Sequence, residues 1–289
     1  YKVLDRYLAL EISEHIPRPF ANTLIDGLIL IGRKRKAPIR PSTRQTPQGP
    51  VDGSRCPLGS LLNVRRGLGL LNSRLFMASP GDNYYGLSKP FLKKHSRPSG
   101  LVIDDAKERA YILRPSDFVE PRLVKALTER AWLMIDDSSV RGTRNLAAKI
   151  ESNPDRWFHH ETVLGPILFN YYVRGEPRHL LNEQGFPAAD NFFVADPIGI
   201  PTRSAWLLLN SSIYRAALLK AARNQGSGLV KLQLYEYKQA QVPDWRTFDS
   251  PLLEFLNRAG QELALGNEKE LQQAVARVDD ELKARGYKP

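Results

Sequence analysis

Apolar residues near the start of the chain (Val3, Leu4, Tyr7, Leu8 and Leu10) recur at helical spacing, and Leu24–Ile31 is a near-continuous apolar run interrupted by Asp26 and Gly27. The pattern predicts a helix followed by a strand buried on both faces, as in a parallel or mixed sheet. One buried strand cannot complete a sheet, so this opening reads as the tail of a domain whose body lies elsewhere. From Cys56 to Phe248 the pattern shifts. Short strand-like runs (Leu75–Ala78, Gly100–Ile103, Ala110–Leu113) alternate irregularly with helical stretches over Glu120–Ile135, Glu161–Val173 and Thr202–Arg223. Such interleaving predicts an α+β fold rather than a doubly wound sheet. Beyond Asp249, the cluster Leu252, Leu253, Phe255, Leu256 and then Leu263, Leu271, Val275, Val278 and Leu282 predict C-terminal helices, with Asn267 placed to cap the second. The longest apolar stretch, Thr23–Gly32, is ten residues. A membrane-spanning helix needs about 20, so no membrane role is expected.

Charge changes the picture. Lys and Arg total 42 against 31 Asp and Glu, a net charge of +11, and the sequence pI is about 9.7. That excess is the electrostatic footprint of a nucleic-acid binder. Arg33–Pro50 carries six basic residues (Arg33, Lys34, Arg35, Lys36, Arg40, Arg44) and no acid, amid Pro, Gly, Ser, Thr and Gln. It reads as a basic linker suited to a phosphate backbone, or as a solvated tail. Four segments follow from these shifts: 1–36, the linker 37–55, a mixed body 56–248 and a helical end 249–289. The opening residues lack a signal-peptide pattern, and a single cysteine, Cys56, cannot form an internal disulfide, so a cytoplasmic protein is expected. The chain opens on Tyr1 rather than Met, and a further N-terminal segment is expected.

Complete catalytic sets are missing from the sequence. It holds neither a GxxxxGK[ST] nor a GxSxG motif, and Arg66–Leu70 is too short a match to a dinucleotide loop. The histidines His15, His95, His159, His160 and His179 show no metal-ligand spacing. Glu236-Tyr237-Lys238 on a strand-like segment, with Asp190 or Asp196, offers the acids and lysine of a magnesium-dependent nuclease.

Five segments carry a resemblance. Asn63–Phe76 (NVRRGLGLLNSRLF), Ile167–Asn182 (ILFNYYVRGEPRHLLN), Asp190–Phe193 (DNFF), Leu207–Tyr214 (LLLNSSIY) and Gln225–Asp244 (QGSGLVKLQLYEYKQAQVPD) follow one another in order. Together they resemble the target recognition domain of adenine-N6 DNA methyltransferases in the catalytic-domain-first arrangement, which is related to type I restriction specificity subunits. Residues 19–36 are similar to the last strands of that family's catalytic domain, and Ala276–Asp279 to its closing helix. The resemblance implies a mixed target-recognition domain at 56–248, preceded by terminal strands of a catalytic sheet and followed by C-terminal helices. The sequence departs from the family in two ways. The Thr-Gly-Ala-Asn of the first motif is replaced by Leu70-Leu71-Asn72-Ser73. The Asn/Asp-Pro-Pro-Tyr/Phe motif and the glycine-rich S-adenosylmethionine loop do not occur. The implied S-adenosylmethionine, and the adenine pocket, would then come from a partner catalytic subunit or a further segment.

The resemblance implies duplex DNA as the ligand, and the residues suit it. Arg65, Arg66, Lys93, Lys94, Arg97, Arg141 and Arg144 fit phosphate contacts. Arg174-Gly175-Glu176-Pro177-Arg178 reads as a tight hairpin whose arginines either bind guanine O6 and N7 or pair with Glu176 and Glu183. Asn191 suits adenine or a turn, with Phe192 and Phe193 in the core. Gly226-Ser227-Gly228, before an alternating strand (Leu229, Lys231, Gln233, Tyr235), either lets the backbone approach DNA or caps the end of the 202–223 helix, and Lys231 of that strand is a candidate DNA contact. Asn210-Ser211-Ser212 suits a helix turn rather than a contact. Two further functions remain open: a non-enzymatic DNA-binding specificity module, and the metal-dependent restriction nuclease.

Overall fold

The computed structural model describes residues 8–16, 27–34, 55–69, 73–78, 88–92, 101–103, 111–113, 121–137, 140, 143–158, 163–225, 228–265 and 267–289. The fold is mixed, with small antiparallel sheets and packed helices, as the α+β reading expects.

The first two strands, β1 (Leu8–Ile16) and β2 (Gly27–Lys34), form an antiparallel pair with a register shift between Leu10 and Ile12. Leu8 and Leu10 therefore lie in a strand, not in the helix their spacing suggested. The pair is antiparallel rather than part of a parallel sheet. Next come β3 (Arg55–Pro57), β4 (Leu62–Arg66), the short α1 (Ser73–Phe76), β5 (Met77–Ala78), β6 (Ser88–Pro90) and β7 (Tyr111–Leu113). The predicted strand Leu75–Ala78 is thus half helix. Gly100–Ile103 contributes an isolated bridge, from Val102 to Leu181, rather than a strand. Helix α2 (Pro121–Asp136) matches its prediction and packs on α3 (Arg144–Ser152). Leu127, Ala131, Leu146 and Ile150 bury there with Phe76, Phe91 and Trp157.

The central sheet contains β8 (Ile167–Asn170), β10 (His179–Leu181) and β11 (Phe192–Pro197), in the order β10-β8-β11-β4. Between β8 and β10 runs β9 (Tyr172–Arg174), which belongs to another sheet. Glu161–Val173 therefore holds strands from Ile167 onward, not the predicted helix. The physical reason is burial on both faces. Ile167 and Phe169 point into the main core, and Leu168 enters a second cluster on the opposite face. In β11, Phe193 and Ala195 take the first face and Phe192 and Val194 the second. Both faces being apolar, the alternation that marks a strand disappears. Gly67, at the end of β4, is required by close approach: a Cβ there would strike the carbonyls of Ala188 and Ala189.

The helices cover one face. The predicted helix Thr202–Arg223 is two helices, α4 (Thr202–Asn210) and α5 (Ser212–Ala221), because Ser211 is extended. Asn210 is fully buried and clamps the backbone of His179. Its Oδ1 accepts from His179 N at 3.1 Å, and its Nδ2 donates to His179 O at 3.1 Å. Trp206 Nε1 donates to the same carbonyl at 2.8 Å. After the break, the Asp279 carboxylate accepts from Ser212 N and Oγ, both at 2.8 Å, and so caps α5 from a distant helix. Asn210-Ser211-Ser212 thus does set a helix turn.

The remaining elements are β12 (Arg223–Asn224), β13 (Leu229–Lys231), α6 (Leu234–Gln239), β14 (Gln241–Pro243), α7 (Ser250–Gln261) and α8 (Glu268–Ala284). Asn267 caps α8 as expected, its Oδ1 accepting from Lys269 N at 3.1 Å. The last two helices close the core through Leu252, Leu256, Leu271, Val278 and Leu282. No helix among the described residues is long and apolar enough to cross a membrane.

His179 gives the fold a pH signature. Its ring is fully buried, shares a 2.8 Å hydrogen bond with the Tyr237 hydroxyl, and leaves Nδ1 without a partner. Burial, with some repulsion from Arg215, lowers its pKa from 6.5 to about 3. The unfolded state therefore binds the extra proton first. This contribution is full above pH 6.5 and is lost as the pH falls toward 3. Urea unfolding of the wild type across that window is expected to carry up to about 1.4 kcal/mol per pH unit that His179→Gln lacks.

Candidate nucleic-acid interface

Strands β12, β13 and β9 form a small antiparallel sheet in that order. Its register sets Lys231 opposite both Tyr172 and Arg223, and Leu229 opposite Arg174. In β9 the pattern alternates: Tyr172 and Arg174 are exposed and Val173 is buried. Period two thus turns Val173 into the core and leaves Tyr172 and Arg174 on the outer face, with Lys231 beside Tyr172.

Tyr171 joins this sheet to the central one. Its N–H donates to Asn191 O at 3.2 Å, and its carbonyl accepts from Leu232 N at 2.9 Å. Asn170 Oδ1 accepts from Tyr172 N at 2.7 Å and fixes the bend between β8 and β9. The Tyr171 ring stacks on Phe193 at 5.6 Å and lies 4.5 Å from the Tyr172 ring. Two cations converge on the pair. The Arg66 guanidinium sits 5.3 Å from the Tyr171 ring centre, and Lys231 Nζ lies 5.8 Å from Tyr171 and 5.0 Å from Tyr172. Burial raises the Tyr171 pKa, and Tyr172 adds to the rise, so its hydroxyl stays protonated as a donor. The rings hold both cations without neutralising them, since a quadrupole carries no net charge.

Two more residues extend the face. Arg223 lies 5.6 Å from the exposed Tyr235 ring and pairs with the Glu236 carboxylate. Glu236 is buried in α6, where it completes a capping box, its Oε2 accepting from Gln233 N at 2.7 Å. The expectation of Glu236 on a strand-like segment is therefore corrected. The alternation ends at Lys231 because Gln233 and Glu236 together cap a helix.

The sequence-predicted residues divide. Arg66, Arg174 and Lys231 lie on or beside this face, whereas Arg65, paired with Val194, points to the opposite side of the central sheet. Arg65 is exposed on β4, with one long contact of 3.5 Å to Leu164 O. Asn191 abuts it through the bond to Tyr171, and its Oδ1 is buried without a hydrogen-bond partner. Arg144 is exposed at the start of α3, in the separate α2–α3 pair. Lys93, Lys94, Arg97 and Arg141, with Arg35–Arg44, His159-His160 and Gly226-Ser227, lie outside the described residues. The Arg174–Arg178 hairpin is a turn with Gly175 at φ +79°. It sends its arginines apart, Arg174 to the sheet face and Arg178 into a cleft beside α5 and α8. Glu183, one proposed partner for them, instead forms a two-bond pair with Arg203 at 2.6 and 2.9 Å. Sequence reasoning missed Tyr171, Tyr172, Arg223 and Tyr235. The signal was the polar–apolar alternation of Tyr172-Val173-Arg174, hidden by the apolar run before it.

No family model matches the chain, and no curated protein matches it. Among solved structures, it is similar to the crystal structure of the type IIG restriction endonuclease BpuSI, at 16% identity and a TM-score of 0.47. The match covers 80% of this chain and 31% of that one, so this chain spans less than a third of that enzyme.

The role of Glu236 is open to measurement. Glu236→Ala removes both the cap bond and the partner of Arg223, and is expected to cost about 1–2 kcal/mol in urea unfolding. Glu236→Gln, which keeps an acceptor for Gln233 N, should recover part of that loss.

Proposed function

We propose that this chain is the sequence-specific DNA-recognition part of an adenine-N6 DNA methyltransferase of restriction–modification or phage-defence type. The observation that carries the reading is the convergence of Arg66 and Lys231 on the Tyr171–Tyr172 pair, beside exposed Arg174. The five ordered segments of resemblance support the family, and four of them, all but Leu207–Tyr214, contribute residues that build or brace this face.

The division of labour follows from chemistry. Arg66 and Lys231 suit phosphate oxygens, which supply affinity and register without reading sequence. Arg174 stands out from the sheet with no ion pair among the described residues, and its planar fork suits guanine O6 and N7. Asn191 suits a bracing role better than base reading, because its side-chain oxygen is buried. The net charge of +11 steers the chain toward an anionic polymer.

Methyl transfer is assigned to no residue here. The sequence holds neither a glycine-rich loop nor an Asn/Asp-Pro-Pro-Tyr/Phe motif, so none of its residues is assigned to S-adenosylmethionine. A partner catalytic subunit or a further segment supplies the cofactor and the pocket for the flipped adenine. The nuclease reading loses its carboxylate, since Glu236 is engaged by Gln233 and Arg223.

The test is a salt titration of duplex binding. Arg66→Ala and Lys231→Ala should each weaken binding to all sequences alike and reduce the log–log salt slope by about 1. Arg174→Ala should cost about 1–3 kcal/mol on the preferred site and relax preference at one base pair. Unchanged slopes in both phosphate variants would remove this face from the assignment. Calorimetry of the purified chain alone should show no S-adenosylmethionine binding; saturable binding would contradict the split between recognition and catalysis.

A further inference from the structure

Behind the Arg174–Arg178 turn, away from the sheet face, lies a cleft of about 440 Å³ between that turn, the first turn of α5 and α8. This is within the range of about 300–1,000 Å³ typical of small-molecule sites. Arg178 and Arg215 both line it. Arg215 is half-buried, and its guanidinium makes one weak contact, 3.4 Å from Nη2 to Asn210 Oδ1, while its buried Nε has no hydrogen-bond partner. No salt bridge joins Arg215 or Arg178 to a described residue.

A desolvated guanidinium without a carboxylate partner is costly, because its lost hydration is not replaced. Here the cost is compounded. Burial holds Arg215 below its ordinary pKa and Arg178 repels it, against partial relief from Glu176 and Asp279. Of the three acids on the cleft wall, two are committed. Asp279 caps α5 through Ser212 and pairs with Lys283 at 2.6 Å. Glu268 accepts from Leu101 N at 3.0 Å and from Gln272 at 3.2 Å. Glu176 sits exposed on the turn. The uncommitted charges are then two arginines against one glutamate.

We infer that this cleft is an oxyanion site, in which Arg178 and Arg215 together hold a phosphate group. Paired guanidiniums match the several charged oxygens of a phosphate with charge-assisted bonds, and neither amide nor hydroxyl neighbours can replace that charge. The phosphate comes either from a free phosphate-bearing small molecule or from a DNA backbone reaching past the turn. The site stands whether or not the sheet face reads DNA.

The test is calorimetry of the full chain with inorganic phosphate, against chloride at matched ionic strength. Saturable phosphate binding is expected, weakened about tenfold or more in Arg178→Ala and in Arg215→Gln. Arg178 lies on a turn and is only half-buried, so its variant keeps the test decisive even if Arg215→Gln fails to fold. Repeating the titration on chain saturated with duplex DNA separates the sources: lost phosphate binding identifies the backbone, and retained binding identifies a free ligand. Absence of saturable binding to the wild type, or equal affinity in Arg178→Ala, overturns the proposal.

Discussion

The pair of hydrogen bonds between the Asn210 side chain and the backbone of His179 is the constraint around which the fold is arranged. Strand β10 is an edge of the central sheet, and an edge strand presents unpaired amide groups. At His179 they are buried, where an unmade hydrogen bond costs about 1–3 kcal/mol. Asn210 satisfies both groups at once, and Trp206 adds a second donor to the carbonyl. For Asn210 to reach the strand, α4 must end there. The chain then extends through Ser211 and restarts as α5, whose first amide is taken up by Asp279. One side chain thereby fixes the sheet edge, the helix break, the position of α8 and the walls of the cleft that holds Arg215.

The two basic surfaces keep their charges by different physical means. On the sheet face, Arg66 and Lys231 rest against tyrosine rings. An aromatic ring orients a cation but leaves it formally charged, so both remain available to phosphate. Arg223 differs: Glu236 neutralises it, and it acts mainly as a strut between β12 and α6. In the cleft, charge persists because the neighbouring carboxylates are bound to other donors.

What could be read from the sequence follows burial. Elements with one wet face were legible: α2, α7 and α8 show clear periodicity, and Asn267 stands where a cap belongs. Elements wet on neither face were not. The run Ile167–Asn170 has apolar residues on both sides of the sheet, so its period vanished and it resembled a helix. Thr202–Arg223 looked like one helix because the break is held by tertiary bonds, from Asn210 to His179 and from Ser212 to Asp279, that local spacing cannot register. Glu236 was misplaced for a local reason: the capping box it forms with Gln233 lies inside the alternation Leu229, Lys231, Gln233, Tyr235, which reads as a continuing strand. Of the basic residues on the sheet face, Arg66, Arg174 and Lys231 were legible and Arg223 was not. The tyrosines that organise them were missed, because tyrosine in an apolar run reads as core.

Tyr171 spends both of its backbone hydrogen-bonding groups on different sheets, one on the loop before β11 and one on the residue after β13. The chain therefore changes layers within a single peptide, and the outer sheet hangs from the core by that seam. Inward positions such as Val173 anchor it, while the outward positions beside them contribute little to cohesion. Surface substitutions at such positions usually alter stability by no more than about 0.5 kcal/mol. An outward position such as Arg174 can thus be exchanged without disturbing the interior, and the seam separates the residues that hold the fold from those that only face outward.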